Sequence, residues 1–117
     1  MVNGACLSLE EAIRVAEEHY DAVVSGDYEA WLNTLTSDLR RQASIRGGTP
    51  DFWWRAGRAI VEKKGARYVF ERVDRVEEGY VKLFFRRVRN DGSQLGMPVP
   101  IHLRLEEGEW KVEQASY

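Results

Sequence analysis

Cysteine is almost missing from this sequence: Cys6 is the only one in 117 residues. One thiol excludes an internal disulfide and any cysteine-built zinc site, and it fits a reducing compartment. Histidine is nearly as scarce. His19 and His102 have no metal-ligand spacing, so neither a metal nor another cofactor is expected. No apolar run approaches the ~18 residues that suggest a membrane span. The opening "MVNGACLSLEE" has no basic start and no apolar stretch, so no secretory leader is read there. Glycine-rich phosphate loops and nucleophile elbows are missing too. The remainder is 44% hydrophobic and 31% charged, which describes an ordinary soluble domain. Residues 1–117 are read as a single domain, long enough to bury a core without staples and cytoplasmic in location.

The formal charge of −2 hides an uneven distribution. Residues 1–39 carry −7, residues 40–89 carry +8, and residues 90–117 carry −3. A basic middle can attract anions or nucleic acid. Here the basic residues are spread over several elements, and neutralising the acidic first helix accounts for them more simply. Nucleic acid is therefore not an expected partner.

Periodicity divides the chain in two. Leu9, Ala12, Ile13, Ala16, Tyr20, Val23 and Val24 form one face of a first helix, with Ser8 and Glu11 at capping-box spacing and Gly26 at its end. Asp27 caps a short second helix through Tyr28, Trp31, Leu32 and Leu35. "RRQASIRGG" reads as a loop. "TPDFWW" opens a third helix, with Thr49 as cap and Pro50 in the first turn. On that helix Phe52, Trp53, Ala56, Ala59 and Ile60 make the expected buried face, while Trp54, Gly57 and Val61 make a second patch that must meet something.

After Gly65 the period is two, giving strands at about 66–76, 80–89, 97–106 and 109–116. Short separators imply antiparallel neighbours. A turn at Glu107-Gly108 places Trp110 opposite Leu105 and Val112 opposite Leu103, with Met97, Val99, Ile101 and Gln114 on the same inner face. For the second strand, the register that turns Val81, Leu83 and Phe85 inward buries more apolar surface than its one-residue slip, and it leaves Phe84 pointing out.

"AEEHYDAVVSGDYEAWLNTL" and the closing "LEEGEWKVEQ" resemble the tyrosine-bearing helix, Gly-Asp junction and final Trp strand of the nuclear transport factor 2-like (NTF2-like) superfamily. The order of elements extends the likeness over nearly the whole chain. The resemblance implies an α+β fold: three N-terminal helices on a curved four-stranded antiparallel sheet, cone-shaped, with a pocket inside the cone and homodimers formed through the outer sheet face. Superfamily members include ketosteroid isomerase, scytalone dehydratase and polyketide cyclases beside plain binding domains, so the fold does not choose the function.

The pocket candidates are Tyr20, Trp31, Trp53, Tyr68, Phe85, Arg87, Trp110 and Gln114. An apolar cavity with a few polar groups is the usual small-molecule site, and a small apolar molecule is the expected ligand. The plainer account of the aromatics is core filling. For catalysis the candidates are Tyr20 as donor, Asp74 as the only strand aspartate able to face inward, and His19 at the margin of the first helix. His102 reads as a surface residue and Cys6 as a bland terminal thiol. No carboxylate falls on the core faces of the first two helices or the last two strands, so no catalytic residue is assigned. The reading is a small-molecule-binding domain, with a lyase or isomerase and a filled protein-interaction module as alternatives.

Overall fold

A computed structural model describes residues 4–117, and side chains from Leu9 onward. The side chains of Cys6 and Ser8 lie outside the described residues. Helix α1 runs Gly4–Ser25, so Ser8 stands within the helix and does not open it. Helices α2 (Tyr28–Asn33), α3 (Ser37–Gln42) and α4 (Thr49–Lys64) follow, then strands β1 (Arg67–Glu77), β2 (Tyr80–Val88), β3 (Val99–Glu106) and β4 (Glu109–Ala115). The strands form one antiparallel sheet in the order β1-β2-β3-β4. The class is α+β as expected, with one more helix than the sequence suggested. The extra helix α3 takes the start of the presumed loop: Thr36 caps it by accepting from Leu39 N, and the Glu106 carboxylate accepts from Ser37 N at 3.0 Å.

Asp27 caps α2 through Ala30 N at 3.1 Å. Gly48, not Thr49, is the N-cap of α4, and Pro50 occupies the first turn, where its missing N–H costs nothing. The buried stripe of α1 is Ala12, Ala16, His19, Tyr20 and Val23. Its two alanines let the helix lie close to the inner sheet face, which is made by Val81, Leu83, Phe85, Val99, Ile101, Leu103, Trp110, Val112 and Ala115. Backbone bonds between Thr34–Thr36 and Val112 stitch the end of α2 to the edge of β4.

Leu83 pairs with Ile101, Leu103 with Val112 and Leu105 with Trp110, the registers expected from burial. Glu107 and Gly108 both have positive φ and close the last hairpin as a two-residue turn. Bulges alter the outcome elsewhere. One between His102 and Leu103 sets Ala115 inward and leaves Gln114 exposed, opposite His102, so Gln114 is not a pocket residue. Two irregularities in β1 follow Phe70 and Val73 and put Asp74 on the outer face. Met97 is 79% exposed, because β3 begins only at Val99, beyond the first proline.

Helix α4 packs through its second patch. Trp54 and Val61 rest on the core, and Gly57 lies between them. A Cβ at Gly57 would stand 3.0 Å from Val23 Cγ1 and 3.1 Å from Tyr117 Cδ1, so glycine is what lets α4 approach. Phe52 is 65% exposed on the opposite side. Arg58 donates to the carbonyls of Val23 and Val24 at 2.6 and 3.2 Å, placing a cation from the basic middle on the negative end of the acidic first helix.

Candidate functional site

The inner sheet face and α1 enclose a column of aromatic rings. Tyr20 stacks on Tyr68 with centroids 4.3 Å apart and meets Phe85 at 4.8 Å, while Phe70 meets Phe85 at 5.7 Å. On the other side of His19, Trp31 lies 5.2 Å from Trp54 and 5.8 Å from Tyr28. Of the sequence candidates, Tyr20, Trp31, Tyr68 and Phe85 come together here. Arg87 reaches the same cluster from the end of β2. Trp53 is half-buried at the edge of the core, and Trp54 holds the ring-contacting place expected for it. Trp110 is buried in the sheet wall, and it also lines a lateral groove of about 580 Å³ between α1, α2 and the last hairpin.

His19 is the largest departure from expectation. It is fully buried at the centre of the helical layer, not at a margin. The row Ala12–Ala16–His19–Val23 is the true centre of the stripe, and the half-buried Ile13 and Val24 had drawn the apparent centre away from it. The imidazole sits in a directed hydrogen-bond chain. Thr34 Oγ1 donates to Trp31 O at 2.6 Å, and so accepts from His19 Nδ1 at 2.7 Å. His19 Nε2 is left as the acceptor, taking the Tyr117 hydroxyl at 2.7 Å. Trp31 Nε1 donates between His19 Nε2 and the Tyr117 oxygen, 3.2 Å from each. This chain uses one neutral tautomer, consistent with burial lowering the His19 pKa to about 3.

Tyr117 and Thr34 escaped the sequence reading. Tyr117 follows the last strand, where no period continues; the one hint was Gly57, a glycine on a helix face that needed a close neighbour. Beyond β4, Ser116 N donates to Pro100 O at 3.0 Å, and Ser116 O accepts the Tyr20 hydroxyl at 2.9 Å. The Tyr117 backbone oxygen accepts from Arg87 Nη1 at 2.9 Å. Two buried polar atoms in this neighbourhood have no partner among the described residues: Tyr68 Oη and Arg87 Nε. Desolvation raises the Tyr20, Tyr68 and Tyr117 hydroxyls above the usual phenol range, so all three stay protonated. Gly96, at φ +71°, holds the far end of Arg87; a Cβ there would come within 2.7 Å of Nη2.

Asp74 takes no part in this site. Its carboxylate pairs with Arg72 at 3.0 Å and Lys82 at 3.3 Å on the outer sheet face, and those cations lower its pKa. That removes it as the base partner of Tyr20. His102 is half-buried on the outer side with Tyr80 Oη 2.5 Å from Nδ1. Among the described residues, no group of three or more His, Cys, Asp or Glu is arranged to hold a metal, and no helix is long and apolar enough to cross a membrane.

No family model and no curated protein matches the sequence. Solved structures do match. A protein of unknown function with a cystatin-like fold from Nostoc punctiforme superposes with a TM-score of 0.66 at 15% identity, covering 93% of this chain and 88% of its own. A candidate dehydratase of the NTF2-like family from Streptomyces avermitilis gives a TM-score of 0.64 at 15% identity, with 96% and 95% covered. The fold is the cystatin-like fold of the NTF2-like proteins. A further cystatin-like protein of unknown function, from Methylobium petroleophilum, gives 0.59 at 11% identity over 92% of this chain and 77% of its own. At these identities the NTF2-like likeness speaks for the fold alone.

Proposed function

We propose that residues 1–117 form a single cytoplasmic domain that binds a small, largely apolar molecule among Tyr20, Trp31, Tyr68, Phe85 and Arg87. The observation that carries this reading is the pair of orphaned buried polar atoms, Tyr68 Oη and Arg87 Nε, inside an aromatic cluster. Leaving such atoms unpaired costs about 1–3 kcal/mol each, a cost that a ligand with hydrogen-bonding groups would offset. Binding fits better than acid–base catalysis. A general base works best with a pKa near the working pH, and His19 is held at about 3 while Asp74 stands on the other side of the sheet. The candidate dehydratase among the structural neighbours is the one finding that favours a lyase or isomerase, and in this chain such chemistry would fall to His19 and Tyr117.

The test is a thermal-shift screen of small apolar and aromatic compounds against the unmodified chain. At least one should raise the unfolding midpoint in a saturable way, and Phe85→Trp, which puts a larger ring against Tyr20 and Phe70, should abolish the effect. If no compound acts at millimolar concentration, the core is simply filled and the protein-interaction reading takes its place.

The same reading includes a homodimer through the outer sheet face. Phe84 lies half-buried there under Arg72, 4.3 Å above its ring, with Lys82 at 5.1 Å. Light scattering at micromolar concentration should give the mass of two chains, and Phe84→Glu should halve it. A monomer mass indifferent to that substitution removes the dimer.

A further inference from the structure

Resting on the binding reading above, we propose that Tyr117 is a built-in occupant of the ligand site, and that the ligand is a para-hydroxyphenyl compound with a carboxylate at the end of a short chain. Tyr117 is held as a bound ligand would be. Its hydroxyl donates to His19 Nε2 and accepts from Trp31 Nε1. Its ring lies against His19 at 5.7 Å and edge-on to Tyr20 at 5.9 Å. Its backbone oxygen takes a hydrogen bond from Arg87. No strand continues through it, and part of its surface stays in solvent, so its departure with Ser116 breaks one backbone bond to β3, Ser116 N to Pro100 O, and leaves β4 paired through Ala115.

Withdrawal of Ser116 and Tyr117 would uncover a defined set of groups. Trp31 Nε1, the Tyr20 hydroxyl and Arg87 Nη1 lose acceptors, while His19 Nε2 and the backbone Pro100 O lose donors. They join Tyr68 Oη and Arg87 Nε, which have no partner among the described residues even with Tyr117 in place. This set is rich in donors, with His19 Nε2 as the acceptor at its deep end. It therefore selects a hydroxyl that donates inward and an anionic, acceptor-only group that lies against the guanidinium. The spacing is the one Tyr117 itself spans: a phenol ring, two saturated carbons and a carbonyl carbon. Para-hydroxyphenylpropanoate reproduces it, and its carboxylate offers acceptors to both Arg87 Nη1 and Arg87 Nε.

Three probes separate the parts: para-hydroxyphenylpropanoate, phenylpropanoate without the hydroxyl, and para-ethylphenol without the carboxylate. Calorimetric titration of Tyr117→Ala should show para-hydroxyphenylpropanoate binding at least about tenfold more tightly than to the unmodified chain, and each truncated probe binding about tenfold more weakly than the full one. If Tyr117→Ala does not fold, the unmodified chain serves: with its tyrosine rings isotope-labelled, saturating probe should move the Tyr117 resonance from a buried to a solvent-exposed environment. Equal binding of all three probes, or equal affinity of variant and unmodified chain, overturns the mimicry while leaving the cone a binding site. A folded Tyr117→Ala that binds none of the probes, or a Tyr117 resonance unmoved at saturation, overturns it as well. The compound screen on the unmodified chain then decides the binding reading separately.

Discussion

Trp31→Ala is expected to lower the unfolding free energy by about 3–5 kcal/mol, the range for truncating a large buried aromatic. Trp31 is fully buried, and its indole meets His19, Tyr28 and Trp54. The substitution empties the middle of the helical layer and removes the N–H shared between His19 and Tyr117. Trp53→Ala is the contrast: Trp53 is half-buried at the edge of the core, and its loss should cost well under half as much. Urea midpoints with unchanged slopes measure both. A Trp31→Ala loss below about 1 kcal/mol, or the reverse ranking of the two tryptophans, would show that the packing of α2 against α4 is not as described.

The same pair of tryptophans shows how far the fold could be read from the chain. β2, β3 and the turn at Glu107-Gly108 were legible because a one-residue slip turns a whole set of apolar side chains into water. Helix α4 was not legible in this way. Both of its faces carry apolar residues, and the choice of Trp54, Gly57 and Val61 as the inner face depends on Tyr117, which no local pattern announces. Bulges defeated the reading of single residues for a related reason. Each adds one unpaired residue to a strand, and nothing in "ERVDRVE" or "KVEQAS" marks where the extra residue goes. Asp74 and Gln114 changed sides on that account. The aromatic half of the site was legible from hydrophobic period. Its polar half, His19, Thr34 and Tyr117, is assembled from α1, α2 and the segment after β4, and only the tertiary structure brings these together.

Buried neutral, His19 should make the protein sensitive to mild acid. Burial holds its folded pKa at about 3, below the ordinary imidazole value of 6.5. Between those two values the unfolded chain binds a proton that the folded chain does not. Stability therefore rises with pH through this window, by up to about 1.4 kcal/mol per unit. The contribution is complete above pH ~6.5 and is lost progressively as pH falls towards ~3, and between pH 7 and 5 the loss should reach about 2 kcal/mol. His102, half-buried with its pKa also lowered by desolvation, acts in the same direction, so the measurement belongs in a His102→Asn background. The Asp74 and Asp91 carboxylates, lowered by their partners, lose their contributions at more acidic pH and stay largely silent above pH ~5. Urea unfolding at pH 7, 6 and 5 should show the full slope in that background, and a nearly flat line once His19→Gln is added. His19→Gln itself should cost stability at pH 7, since no amide can serve Thr34 and Tyr117 at both imidazole positions. If that variant does not fold, the ring resonances of His19 answer instead: they should stay neutral down to pH 5. An imidazole that titrates near 6.5 in the folded protein, or an acid slope unchanged by His19→Gln, would place the ring in contact with water and break the hydrogen-bond chain from Tyr117 to Trp31.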